Sequence, residues 1–145
     1  MTTLHDVIVL AEREQHLAVV STLREDGTIQ SSLVNVGAMI HPLVGTEVLA
    51  FVTYGPVKLA NLRARPQITV TLRSGWEWAA IEGRATLIGP DDPSPDVDAE
   101  RLRLLLREVF TAAGGEHDDW DEYDRTMVTD RRTVVFIEPT RVYSN

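Results

Sequence analysis

Cysteine is missing from this sequence of 145 residues. Its absence excludes disulfides, thiolate-bound metals, iron–sulfur clusters and a cysteine nucleophile. No apolar run approaches the length of about 18 residues that a membrane-spanning helix needs, so no such span is expected. The first residues, MTTLHDVIVLAERE, lack a basic start and become charged soon after their apolar stretch. We therefore expect no secretory signal and a cytoplasmic protein.

Positive charge is also scarce. The chain has 22 acidic and 14 basic residues, which gives a formal net charge of −8. Residues 91–124 alone contain twelve acids and three bases. This balance disfavours nucleic-acid binding, which requires a basic surface. Thirteen of the basic residues are arginines and one, Lys58, is a lysine. The length suits a single domain over residues 1–145.

Several motifs that would indicate a particular chemistry are absent. The sequence has no glycine-rich GxGxxG or GxxxxGK(S/T) loop and no GxSxG nucleophile elbow. Its four histidines are scattered and form no metal-ligand pattern, so no metal site is expected. The acidic stretch lacks the alternating spacing of a calcium loop, and we interpret it as a solvated helical face.

Hydrophobic periodicity predicts a mixed order of strands and helices. The predicted strands cover residues 17–23, 30–40, 47–54, 67–73, 76–88 and 132–138. The predicted helices cover residues 4–15, 57–64, 97–113 and 118–128, with Asp96 as an N-cap. Gly83 predicts a bulge or bend. Because turns rather than crossover helices join neighbouring strands, a doubly wound parallel sheet is disfavoured. We predict mainly β structure with helices (α+β). The predicted architecture is a closed or nearly closed barrel of about six antiparallel strands, with a helical insertion before the last strand.

The third predicted strand runs directly into a short helix at residues 53–58. This corner brings together a threonine hydroxyl, backbone amides at a helix N-terminus and the ammonium of Lys58. Helix N-termini attract anions through free N–H groups and the helix dipole, and an ammonium adds a charge-assisted contact. Ser32 and Val34 share one face of the second strand and can reach the same ligand. The pattern predicts an anion-binding corner.

Two tryptophans two residues apart, Trp76 and Trp78, are predicted to point to the same face of a strand. They either fill the barrel or a dimer interface, or form a wall for a planar ligand. The sequence leaves both interpretations open.

Four stretches of the chain together resemble a known family. They are LAVVSTLREDGTIQSSLVNV, GPVKLANLRARP with its K-x-x-N-L-x-x-x-P motif, GWEWAAIEGRATL, and GEHDDWDEYDRTMVTDRRTVVFIEPTRVYS near the C-terminal end. They resemble the flavin/deazaflavin oxidoreductases, a split β-barrel group related to pyridoxamine 5'-phosphate oxidase. The closest similarity is to B-type members from actinobacteria that use coenzyme F420, a deazaflavin with a phosphate and an acidic polyglutamyl tail.

The resemblance implies an FMN-binding-like split barrel that forms a homodimer, with the cofactor in a groove at the subunit interface. The cofactor-binding residues it implies are Lys58, Ser32, Val34, Thr53, Tyr54, Gly55, Pro56, Trp76, Trp78, Met127, Arg131 and Arg132. Lys58 would bind the phosphate, and Met127, Arg131 and Arg132 would contact the cofactor from the partner or support its tail. Relatives carry an arginine just before the lysine, where this chain has Pro56 and Val57. The tail is then bound more weakly, or by Arg63 or Arg65.

The implied activity is that of an F420H2-dependent reductase. Such an enzyme transfers a hydride from C5 of the deazaflavin to an activated alkene or a quinone, and the protein supplies binding and orientation. No catalytic residue is assigned; solvent is the default proton donor, with Tyr54 and Tyr143 as weaker candidates. The alternatives are an FMN-dependent enzyme of the same fold, a non-catalytic F420 carrier and a haem-binding split barrel.

Overall fold

Seven strands form one antiparallel sheet in the computed structural model, which describes residues 2–145. The strands are β1 (Leu17–Leu23), β2 (Ile29–Asn35), β3 (Gly37–Ile40), β4 (Glu47–Thr53), β5 (Gln67–Ser74), β6 (Glu77–Ile88) and β7 (Thr133–Ser144). The helices of this part are α1 (Leu4–Glu12), α2 (Pro56–Ala64), α3 (Ala99–Ala112) and α4 (Trp120–Thr129). The predicted α+β class and the helical insertion before the last strand are therefore confirmed.

The sheet curls into a nearly closed barrel. Its strand order is β2-β1-β5-β6-β7-β4-β3, so β2 and β3 lie at opposite edges. Only Val36 separates these two strands along the chain. The two edges must therefore approach each other at one corner, which is the split of the barrel.

The sheet has seven strands where about six were predicted, because the predicted strand at residues 30–40 is divided into β2 and β3. Val36 is buried, and its amide donates to the His16 carbonyl at 2.8 Å, outside the ladder. A Cβ at Gly37 would collide with the backbone of Ala112 in α3. Because Gly37 has no side chain, the backbone can pass close to α3 there. At this point the chain crosses from β2 at one edge of the sheet to β3 at the other.

Long-range pairing also moves several boundaries. β7 extends to Ser144 because it pairs with β6 on both sides of a register shift between Glu82 and Gly83, which confirms the predicted irregularity. A Cβ at Gly83 would collide with the Glu138 carbonyl of β7. The helix α3 begins later than predicted, with Asp98 rather than Asp96 as its N-cap.

Apolar side chains form two cores on the two sides of the sheet. The first fills the barrel and includes Val20, Phe51 and Ile81. The second packs α3 and α4 against the outer face of β4 and β7 and includes Leu105 and Phe136. No helix within residues 2–145 is long and apolar enough to cross a membrane.

Candidate functional site

The predicted corner forms where β4 ends and α2 begins. Thr53 is the last residue of β4, and Gly55 is the N-cap of α2. The Thr53 hydroxyl accepts hydrogen bonds from the Gly55 amide at 3.2 Å and from the Lys58 ammonium at 3.3 Å. One hydroxyl therefore orients both the helix entry and the lysine.

Lys58 is buried, with 6% of its surface exposed. Its Nζ lies 5.7 Å from the centre of the Phe51 ring. Within residues 2–145 it forms no ion pair with a carboxylate. Burial lowers the pKa of this ammonium from its usual value of 10.5. A buried cation without a counter-charge is costly, so the site favours an anionic ligand.

The N-terminus of α2 has no side chain that caps it. Gly55 supplies none, and Pro56 occupies the first helical turn. The remaining amides of that turn and the positive end of the helix dipole therefore point toward the corner without a partner from the N-cap. This is the arrangement that binds phosphate groups at helix N-termini.

A second unpartnered group lies on β2. The Ser32 hydroxyl is buried and has no hydrogen-bond partner within residues 2–145. Ser32 shares its face of the sheet with Gln30, whose side chain accepts a hydrogen bond from Thr22 of β1 at 3.1 Å. Thr22 in turn accepts from Asn61 of α2 at 3.0 Å. This face of β1 and β2 therefore lies against α2. The half-buried Val34 lies on it too, as predicted.

The segment just before β7 contributes Arg132 to the edge of the corner. Thr53 and Thr133 are directly paired, so the residues before β7 lie beside the end of β4. The Arg132 guanidinium lies 4.2 Å from the centre of the Tyr54 ring and donates to Asp130 at 3.0 and 3.2 Å. Tyr54 and Arg132 are thus brought together within one chain.

Met127 and Arg131 line a neighbouring cavity rather than the corner itself. Met127 is buried in the core under α4. It also lines, with Arg131 and Arg132, a cavity of ≈ 660 Å³ between the segment before α3 and the helices α3 and α4. Arg131 donates two hydrogen bonds to Asp91, at 3.1 and 2.6 Å. Arg132, which also contacts Tyr54, therefore connects this cavity with the corner.

The two tryptophans lie far from Lys58 within the chain. Trp76 is in the turn before β6 rather than in the strand, and it is 91% exposed. Trp78 lies edge-on to Tyr143, with 6.2 Å between ring centres. Both are at the end of β6 that pairs with the last residues of β7, whereas Thr133 beside the corner begins that strand. One chain alone does not bring the tryptophans to the corner.

The sequence-based reasoning missed three residues near the corner. Asn61 is buried and joins α2 to β1, a role signalled only by its place in the K-x-x-N-L motif. Asp91 and Asp92 belong to the acidic stretch for which the sequence predicts a solvated helical face, but they lie before α3. Instead Asp92 accepts two hydrogen bonds from Arg63, at 2.9 and 2.7 Å, while Asp91 binds Arg131.

The nearly closed antiparallel barrel, with its strand-to-helix corner and helical insertion, is the split β-barrel found in flavin-associated oxidoreductases. The chain belongs to the family described as pyridoxamine 5'-phosphate oxidase, whose sequence model matches residues 4–144. Membership of the wider group related to pyridoxamine 5'-phosphate oxidase, which the K-x-x-N-L-x-x-x-P stretch and its neighbours indicated, is thus confirmed.

Solved structures with the same fold have low sequence identity to this chain. The conserved hypothetical protein Rv2991 from Mycobacterium tuberculosis is 17% identical with a TM-score of 0.69, over 99% of this chain and 84% of that one. A protein named F420 reductase is 16% identical with a TM-score of 0.59, over 89% and 90% of the two chains. An FMN-binding protein related to pyridoxamine 5'-phosphate oxidase, from Nostoc punctiforme, is 16% identical with a TM-score of 0.59, over 90% and 74%.

Proposed function

We propose that this protein is an F420H2-dependent reductase that acts on activated alkenes or quinones in the cytoplasm. The observation that carries the proposal is Lys58, a buried ammonium without a counter-charge at the uncapped N-terminus of α2. The likeness of its fold to a protein named F420 reductase supports the choice of cofactor.

The residues present fit the phosphate end of such a cofactor. The Lys58 ammonium is a cation, and the first amides of α2 are hydrogen-bond donors; a phosphate oxyanion would interact with both. The orphaned hydroxyl of Ser32 offers one further hydrogen bond from the opposite strand. In the proposed site Lys58 holds the phosphate, Ser32 and Val34 line the ring and its ribityl chain, and Tyr54 with Arg132 forms the rim.

When bound, the deazaflavin supplies hydride transfer from C5 of its central ring. The chain contributes binding and orientation. Thr53 fixes the Lys58 ammonium, and the apolar Val34 keeps water from the inner side of the groove. Orienting a bound substrate against the cofactor accounts for most of the expected acceleration, through proximity. We assign no side chain as proton donor, and solvent fills that role.

A homodimer completes the proposed site. The outer face of β1 and β2 carries exposed apolar side chains, which are Leu17, Val19, Ile29 and Leu33. Val19 and Leu33 are directly paired, so they form one patch rather than isolated residues. Contiguous exposed apolar surface of this kind favours association. The tryptophans of one chain are too far from its own corner to form a wall of the cofactor groove. In the proposed dimer, the partner subunit supplies that wall.

An FMN-dependent enzyme is the second candidate. The corner recognises a phosphate rather than a ring, and FMN carries the same ribityl phosphate without an acidic tail. The fold is also that of a protein named as FMN-binding. A non-catalytic carrier of F420 would use the same corner without turnover.

Titration of the purified protein with F420 and with FMN, followed by turnover with menadione or cyclohexenone, tests the proposal. We expect tighter binding of F420 and oxidation of F420H2 in the presence of one of these acceptors. Preferential FMN binding with a yellow protein would favour the second candidate. Tight F420 binding without turnover across a broader panel of enones and quinones would indicate a carrier, and a Soret band would indicate haem.

A further inference from the structure

Two consecutive aspartates bind two arginines that flank the corner. Asp92 pairs with Arg63 through two hydrogen bonds, and Asp91 pairs with Arg131 in the same two-point manner. The arginines come from different elements, since Arg63 belongs to α2 and Arg131 precedes β7. Residues 89–92 form a tight turn in which Gly89 and Asp92 exchange both backbone hydrogen bonds at 3.1 Å. The turn therefore presents two carboxylates to two guanidinium groups.

The turn that holds these arginines begins next to the corner, because a Cβ at Gly89 would collide with the Thr133 side chain and Thr133 pairs directly with Thr53. Arg132 lies over Tyr54 at the rim of the corner, and Arg131 is its neighbour in the chain. Arg131 and Arg63 are then joined through adjacent residues of the turn, so their guanidinium groups are close together. An acidic chain that leaves a phosphate at Lys58 and extends over this turn would meet Arg131 and Arg63. Both already hold carboxylates of the protein itself.

We propose that Asp91 and Asp92 are specificity-determining residues that occupy the arginines in place of the ligand's own carboxylates. The inference rests on the proposed function. A ligand with several carboxylates displaces the aspartates and takes over Arg131 and Arg63. A ligand without such a tail leaves the two pairs intact and gains nothing from them. The aspartates therefore set how strongly the site prefers a long acidic tail, because specificity is a difference between two affinities.

The pairs are accessible enough to be exchanged. The side chains of Arg131 and Asp91 are 58% and 51% exposed, and that of Arg63 is 39% exposed, whereas Asp92 is more covered at 14%. Solvent-exposed ion pairs contribute little net stability. Replacing one carboxylate by another at the same guanidinium conserves the number of ion pairs. Binding of the tail to the natural protein should therefore depend only weakly on salt.

The test compares a double variant with a charge-matched control. In Asp91→Asn/Asp92→Asn both side chains keep their size but lose their charge. The control, Asp96→Asn/Glu116→Gln, removes two exposed acidic charges that form no ion pair within residues 2–145. Because the control loses the same two negative charges, it corrects for the change in net charge and long-range electrostatic potential of this acidic protein. Both are titrated with F420 bearing a tail of several glutamates, and with FMN.

We expect the Asp91→Asn/Asp92→Asn variant to bind the tailed cofactor about tenfold more tightly than the control does, since two weak pairs no longer compete. Its affinity for FMN should match that of the control. Its binding of the tailed cofactor should also weaken more steeply with added salt than that of the natural protein, because new ion pairs form on binding. Equal affinities in variant and control would overturn the inference. Weaker binding by the variant would show instead that the aspartates preorganise the arginines, which also overturns it.

Two further measurements keep the result decisive. Asp91→Asn alone, which removes only the more exposed pair, should give part of the effect if the double variant fails to fold. Tetra-γ-glutamate titrated without any ring tests the arginines directly, and it should bind more tightly to the aspartate variant than to the control. If the natural protein binds neither F420 nor FMN, the proposed function fails. The tetraglutamate result then decides the inference by itself.

Discussion

Lys58 is the single lysine of the chain, and its ammonium is buried between a threonine hydroxyl and an aromatic ring. Burying this charge costs free energy that a bound anion would offset. Removing the Lys58 ammonium should therefore raise the stability of the unliganded protein and weaken anion binding. This makes the residue the most informative position in the molecule.

Lys58→Met should stabilise the unliganded protein by about 1 kcal/mol, because an uncompensated buried charge is replaced by an apolar chain of similar length. The same substitution should weaken binding of a phosphorylated cofactor by about 1.5–3 kcal/mol, the range for hydrogen bonds to charged groups. Denaturant unfolding and equilibrium titration measure the two effects. A variant that is less stable and binds equally well would contradict the assignment.

The pH dependence of binding follows from the direction of the Lys58 pKa. Burial lowers this pKa from 10.5 in the free protein, so the charged form is lost at a lower pH than for an ordinary lysine. Because the anion binds the ammonium form, affinity for FMN should fall as pH rises through the lowered pKa, while the phosphate charge stays constant above about pH 7.5. Lys58→Met should lack this dependence. A flat profile in the natural protein would contradict the role of the ammonium.

Ser32→Ala tests the orphaned hydroxyl on β2. Removing an unsatisfied buried polar atom should leave stability unchanged or raise it, while cofactor affinity falls by about 1 kcal/mol. Ser31→Ala is the matched control, because Ser31 is exposed and bonds Ser21 at 2.9 Å. The account predicts that only the Ser32 variant changes the dissociation constant; equal effects from both variants would place the ligand elsewhere.

Among the elements, α4 is attached to α3 by one carboxylate that serves two arginines. Asp124 accepts hydrogen bonds from Arg107 at 2.9 Å and from Arg103 at 3.1 Å. Its side chain is only 15% exposed. These interactions keep the helical insertion packed on the sheet, next to the residues that precede β7.

Asp124→Asn should lower the free energy of unfolding by about 1–2 kcal/mol at neutral pH, since charged hydrogen bonds are lost. The hydrogen bond from Arg107, followed by that from Arg103, lowers the pKa of Asp124 below its usual 3.8. The stabilisation is therefore present above pH 3.8 and is lost as pH falls through the lowered pKa. Urea unfolding should show a difference between variant and natural protein that shrinks in acid. A constant difference down to the lowest pH would show that packing, not charge, carries the effect.

The elements that the sequence predicts well are those with local signals. The strand at 17–23 matches β1, and the Pro56 signal places α2 within one residue. The break at Val36 has no such signal, because it depends on contact between Gly37 and the end of α3. In the same way the strand-to-helix corner with Lys58 follows from a contiguous motif. The pairs of Asp91 and Asp92 join segments that only the folded barrel brings together.

At the scale of the whole molecule, the proposed homodimer would cover the apolar outer face of β1 and β2. The Leu33 side chain is 62% exposed in the centre of the apolar face of β1 and β2. A large apolar side chain exposed on an edge strand promotes unspecific aggregation unless another protein surface covers it.

Leu33→Glu should convert a dimer into a monomer and reduce cofactor affinity with it, because the proposed groove needs both subunits. Analytical ultracentrifugation and cofactor titration measure the two consequences. Val44→Glu is the control, since Val44 is 64% exposed but lies in the loop before β4. A dimer that survives the Leu33 substitution would show that a different surface associates.

The central claim is that the Lys58 corner binds the phosphate of a flavin-type cofactor. The most direct measurement is a four-way titration, in which FMN and riboflavin are each bound to the natural protein and to Lys58→Met. The account predicts that the natural protein prefers FMN over riboflavin by at least about tenfold and that the variant loses this preference. A preference of equal size in both proteins would place the phosphate away from Lys58 and would contradict the account.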